Sequence, residues 1–94
     1  MQDSSASVER AGQFLAEGKY AQAEKYLLKA VSIVKNDPTI HDHLGDLYYK
    51  AGDYEKAHEF WTKSLSSGTE PDEIEKVREK IEKLKDTLRK QKRR

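Results

Sequence analysis

None of the 94 residues is a cysteine. Disulfide staples, thiol chemistry and cysteine-based zinc sites are therefore excluded. Long apolar runs are also missing. No stretch approaches the roughly 18 apolar residues of a membrane span, and the opening MQDSSASVER lacks the basic-then-apolar layout of a signal segment. Apolar residues are few, at 35%, against 37% charged. A core built from so few must place each one well, and the length fits one small domain. Charge of one sign is scarce too, at a net +1. That balance hides an asymmetry. Residues 1–71 hold 8 Lys/Arg and 11 Asp/Glu, whereas residues 72–94 hold 10 and 6. The basic excess gathers in the ending RKQKRR, a feature of the tail rather than of a face.

What is present is a pattern stated twice. EGKYAQAEKYL (residues 17–27) and AGDYEKAHEFW (residues 51–61) share a Gly-x-Tyr-x-x-Ala skeleton at a shift of 34 residues. The same shift lays Ala11 on Gly45, Phe14 on Tyr48, Gly18 on Gly52, Ala23 on Ala57, Leu27 on Trp61 and Ala30 on Ser64. Small falls on small and large on large, and size decides packing.

Each copy reads as two helices. In the second, Asp37 caps and Pro38 takes the first turn, where a missing N–H does no harm. Ile40, Leu44, Leu47 and Tyr48 follow at helical spacing. Gly52 ends that helix and Asp53 caps the next, whose buried face is Ala57, Phe60, Trp61 and Leu65; Gly68 stops it. The first copy repeats the scheme with Val8, Phe14, Leu15, Gly18, Tyr20, Ala23, Leu27, Ala30, Val31 and Val34, with Lys19 in place of a good cap. Gly45 and Ala57 are expected where the two helices cross, with no bulky side chain between the backbones, and Tyr48 and Trp61 to either side. A fifth helix, PDEIEKVREKIEKLKDTLRK, opens with Asp72 and Glu75 spaced as a capping pair. Its Ile74, Val77, Ile81, Leu84 and Leu88 form an apolar seam in steps of three and four.

A 34-residue helix–turn–helix with this size pattern resembles the tetratricopeptide repeat. Leu44, Gly45, Tyr48, Ala57 and Trp61 carry the resemblance in the second copy. Ser7, Arg10, Ala11, Phe14, Ala23 and Leu27 carry it in the first. His41 stands where the family prefers Trp, and Thr69 where it prefers Pro, with Pro71 two residues late. The resemblance implies an all-α fold of five helices, with antiparallel hairpins stacked into a right-handed superhelix. Repeats would span 4–37 and 38–71, with a closing helix and basic tail over 72–92. The polar start before the first copy, without an evident cap, leads to the expectation of further repeats N-terminally.

The resemblance also implies the work: binding a protein or peptide on the concave face, as a scaffold without a catalytic step or cofactor. The lining would be Ser5, Val8, Glu9, Gly12, Leu15 and Ala16, then Thr39, Asp42, His43, Asp46, Tyr49 and Lys50. Asp46 and Lys50 read as an i,i+4 ion pair. Tyr49 reads as an aromatic on a face apart from the core. Positions that hold a chaperone's C-terminal carboxylate in one subfamily are here Val8, Gly12, His43, Glu73 and Val77. None supplies the required cation or amide, so that activity is not carried over. With Glu9, Asp42 and Asp46 the groove leans acidic, and a neutral or basic partner segment is expected.

Other chemistry is thin. There is no Gly-rich phosphate loop and no Ser/His/Asp arrangement. His41 and His43 point to separate faces, His43 and Asp46 lack a third ligand, and His58 lies on a surface. His41 reads as a packed, hydrogen-bonded core residue, and no metal site is expected. RKQKRR has no interleaved aromatic to stack on bases, so nucleic acid is not the expected partner. The alternative function is self-association. At about 1.5 Å per residue the fifth helix outreaches its neighbours, and Leu84 and Leu88, with Ile81, would overhang as a seam for a second copy. Nothing in the residues fixes a compartment.

Overall fold

The computed structural model describes residues 4–92, with side chains from residue 6 onward. It contains five α-helices: α1 Ser4–Ala16, α2 Tyr20–Ile33, α3 Pro38–Ala51, α4 Tyr54–Ser67 and α5 Pro71–Lys92. No strand occurs among the described residues. Helices α1 and α2 form one hairpin and α3 and α4 another. Helix α3 docks on α2, and α5 closes the far side against α4.

The helix ends follow from local chemistry. Asp37 accepts a hydrogen bond from Thr39 N at 2.8 Å and a longer one from Ile40 N at 3.4 Å, with Pro38 in the first turn. Gly52 adopts the left-handed conformation at φ 89° and ends α3. Asp53 accepts from Lys56 N at 3.3 Å, whereas Lys19 makes no side-chain cap at the start of α2. One expected cap does not form. Helix α5 already begins at Pro71. Asp72 therefore sits inside the first turn, and Glu75 pairs with Arg78 at 3.4 Å instead.

The two hairpins repeat one packing. Phe14 stacks on Tyr26 at 5.6 Å, and Tyr48 stacks on Phe60 at 5.4 Å, 34 residues further on. Ala23 and Ala57 are fully buried. Gly45 is used differently from the expectation. The indole of Trp61 lies directly on the α3 backbone there. A Cβ added at Gly45 would overlap Trp61 Cδ1 and Nε1. A bulky side chain thus does sit at the crossing, and glycine makes its room. The indole N–H donates to the Asp42 carbonyl at 3.2 Å. In the first hairpin the corresponding pair is Ala11 and Leu27, both buried. A methyl gained on one helix is matched by a smaller side chain on the other.

Between hairpins, Ile40, Leu44 and Leu47 are buried in α3, and the Tyr48 hydroxyl donates to Glu24 of α2 at 2.7 Å. The residues 34 earlier, Ala6, Arg10 and Gln13, are exposed. The outer side of α1 does not repeat the apolar row by which α3 docks on α2.

Helix α5 differs from expectation in where its overhang begins. Val77, Ile81 and Leu84 are all buried, Leu84 completely. The three-residue link at 68–70 runs α5 back along α4. By equal counting, Leu84 then lies level with Tyr54, where α4 begins. It is still covered, so the overhang starts only beyond it. Leu88 is half-buried.

The Gly45–Trp61 exchange is testable. Gly45→Ala should destabilise the chain by about 1–3 kcal/mol despite the better helix propensity of alanine. Trp61→Leu should cost about 2–4 kcal/mol by cavity formation. The double variant, which installs the Ala11/Leu27 pairing, should lose at least ~1 kcal/mol less than the sum in urea unfolding. Additive losses would show that the two positions do not compete for one space.

Candidate functional site

Helices α1 and α3 lie side by side and present the residues expected to line the groove. On α1, Val8 and Leu15 are half-buried, whereas Glu9 and Gly12 are exposed. Gly12 stands inside a 13-residue helix, and a Cβ added to it would meet nothing within 4 Å. On α3, Asp42, His43 and Asp46 are half-buried, and Tyr49 and Lys50 are exposed. Ser5 belongs to α1, but its side chain lies outside the described residues.

Three of these residues have partners on other helices. Lys80 of α5 reaches across to α3. Its ammonium donates to Asp42 Oδ1 at 2.8 Å and to Asp46 Oδ1 at 3.0 Å. Asp46 therefore turns to Lys80 rather than to Lys50. Burial alone would lower the Lys80 pKa, but the two carboxylates outweigh it and hold the group above the ordinary lysine value. Tyr49 is no free aromatic. Its ring lies 5.4 Å from Tyr54 and 5.7 Å from Trp61. One turn beyond Gly45, the phenol packs where the indole crosses α3. The acidic character expected of this groove is correspondingly reduced, because Lys80 answers two of its carboxylates.

The self-association seam is likewise altered. Ile81 is 6% exposed and Leu84 is fully covered by the chain's own fold. Of the three residues, only Leu88 retains accessible surface, beside Glu82, Lys85, Arg89 and Lys92.

His41 is buried and stacks on Phe60 at 6.1 Å. It is packed as expected, but its Nδ1 has no hydrogen-bond partner. Burial first, and then the nearby Lys63, lower its pKa below the ordinary 6.5, while Asp37 pulls the other way. No group of three or more His, Cys, Asp or Glu among the described residues could hold a metal ion. No described helix is long and apolar enough to cross a membrane. The basic tail belongs to the end of α5 through Lys92, and Arg93 and Arg94 lie outside the described residues.

Two matching hairpins stacked edge to edge, with a fifth helix closing one side, define an α-helical repeat protein. The tetratricopeptide repeat profile matches residues 14–72, more than half of the chain. The chain belongs to the tetratricopeptide repeat family. No curated protein matches it at a significant level.

Two tests follow from this geometry. Lys80→Met should leave Asp42 and Asp46 in unrelieved repulsion and cost about 1 kcal/mol, discounted for partial exposure. Adding Asp42→Asn and Asp46→Asn should restore most of that loss in urea unfolding. For His41, a base whose folded pKa is depressed binds fewer protons when folded. Stability should be unaffected above the ordinary value and should fall as pH drops below about 6.5. The loss levels off once the pH is below the folded pKa, where both the folded and the unfolded chain carry the proton. His41→Phe should flatten this part of the profile, measured as urea midpoints between about pH 7.5 and pH 5. An unchanged slope would assign the acid sensitivity elsewhere.

Proposed function

We propose that the chain is a protein-interaction module whose concave strip, formed by α1 and α3, holds an extended segment of a partner protein. The family supports the coarse statement, since tetratricopeptide repeats are interaction modules and typically non-catalytic. The observation that carries the finer one is Gly12. Glycine inside a helix costs about 1 kcal/mol relative to alanine. At Gly45 the fold explains that cost, because Trp61 needs the space. At Gly12 the fold offers no such reason, for a side chain would meet nothing. Bare backbone there leaves open space on the helix face that Glu9 and Leu15 share, three residues to either side. A partner backbone can approach a glycine helix face closely, with Val8, Leu15 and His43 as flanking contacts. The expected partner segment stays neutral to basic. Glu9 keeps its carboxylate exposed, and Lys80 only offsets the other two. Self-association through α5 has less support, since Leu88 alone remains of its seam.

A random peptide library selected on the immobilised chain supplies ligands for the test. Gly12→Tyr fills the clearance without touching the core and should raise stability slightly, by roughly half a kcal/mol from helix propensity. Selected peptides should lose at least about tenfold in affinity for this variant, roughly 1.4 kcal/mol. Equal binding to Gly12→Tyr, with the fold intact, would remove the concave strip as the docking site.

A further inference from the structure

We propose that the cavity between the first turns of α3 and α5 and the last turn of α4 takes a lysine or arginine side chain of the partner segment. This deepens the groove reading above and rests on it. The cavity holds about 180 Å³. Its walls are mostly apolar, with Pro38, Ile74 and Val77 among them. Gly68 helps to shape it: a Cβ there would lie 3.1 Å from Ile74 Cγ1, so Ile74 closes down onto bare backbone.

Three carboxylates, those of Asp42, Glu70 and Glu73, belong to the lining. Lys80 pairs with Asp42, whereas Glu70 and Glu73 enter no ion pair among the described residues. The sum of charges decides which ligand fits. Three carboxylates and an ammonium that Asp42 shares with Asp46 leave at least two negative charges. Two helix N-termini add roughly half a positive charge each, and the C-terminal end of α4 takes roughly half away. At least about one and a half negative charges remain in a cavity with mostly apolar walls. That combination matches an alkyl stem ending in a cation, whose methylenes lie on Ile74 and Val77 while its head stays among the carboxylates. An anionic side chain is repelled, and a purely apolar one fills the cavity without answering the carboxylates.

The probe is n-butylguanidinium, with n-butanol and guanidinium ion as controls for the stem and the charge. Titrated into the isotopically labelled full chain, it should give saturable amide shifts confined to residues 38–42 and 64–77. The exposed double variant Glu70→Gln/Glu73→Gln, with unchanged far-UV circular dichroism, should weaken binding about tenfold. Equal shifts with n-butanol, shifts spread over the other acidic surfaces, or indifference to the double variant would each overturn the proposal. Peptides from the groove selection separate this inference from the reading beneath it. A peptide that is sensitive to Gly12→Tyr but indifferent to Glu70→Gln/Glu73→Gln sinks the cavity and leaves the groove. Saturable n-butylguanidinium binding in the cavity, together with peptides indifferent to Gly12→Tyr, supports the cavity and sinks the groove.

Discussion

The edge of the Trp61 indole occupies the space that a Cβ at position 45 would need, and much of the second hairpin is arranged around that contact. Burying a tryptophan on this scale is worth about 3–5 kcal/mol by truncation. Its hydrogen bond to the Asp42 carbonyl adds about 1 kcal/mol net. Packing therefore holds the hairpin, and the hydrogen bond orients the ring. Tyr49 and Tyr54 fill in around it. One turn along α4 from the indole, Ser64 donates to the Pro38 carbonyl at 2.7 Å, tying the end of α4 to the start of α3. Asp42 meets α4 with its backbone and α5 with its carboxylate. Asp42 thus links the hairpin to its closing helix, beside the second contact of Lys80 to Asp46.

The first hairpin meets the same demand with a different division of volume. Ala11 adds a methyl where Gly45 has none, and Leu27 is smaller than Trp61 by most of a ring. The aromatic pair beside it is kept nearly unchanged, Phe14–Tyr26 against Tyr48–Phe60 at interplanar angles of 19° and 22°. Close packing constrains the summed volume at a crossing rather than either residue alone. This is why two stretches of modest identity build one structure, and why their kinship shows in the size of side chains rather than in their names.

That constraint also sets what the residues disclose when read in order. Caps, stops and buried faces are local, and Asp37, Gly52, Asp53 and the Ala57–Trp61 face stand where their spacing puts them. Contacts between helices are not local. The shift of 34 that pairs Ala11 with Gly45 also carries Asp46 onto Lys80, opposite charges on neighbouring helices. That signal is present, but it crosses from the repeat into a helix whose size pattern no longer follows it. Tyr49 escapes a linear reading for a related reason. Its helical angle sets it apart from Leu44 and Leu47, yet a ring as broad as the Trp61 indole reaches around the helix to meet it. Leu84 turns on the arithmetic of length. Helix α5 outreaches α4, but the excess begins only past the point where α4 starts.

The exposed large apolar residues bear on which surface can bind. Four of the five, Tyr20, Leu28, Ile33 and Val34, lie on or just after α2, which makes the outer surface of that helix the rival to the groove. At about 100° per residue, Leu28 and Ile33 point about 140° apart around the axis. Tyr20 lies about 12 Å from Leu28 along it, and Val34 has already left the helix. Scattered single residues of this kind are ordinary surface and make no contiguous patch. The strip along α1 and α3 is different in kind. It combines a helix glycine with open space above it, half-buried Val8 and Leu15, and a cavity whose lining includes Asp42 of α3. In a chain with so few apolar residues to display, open space and charge, rather than apolar exposure, are what the proposed docking strip offers.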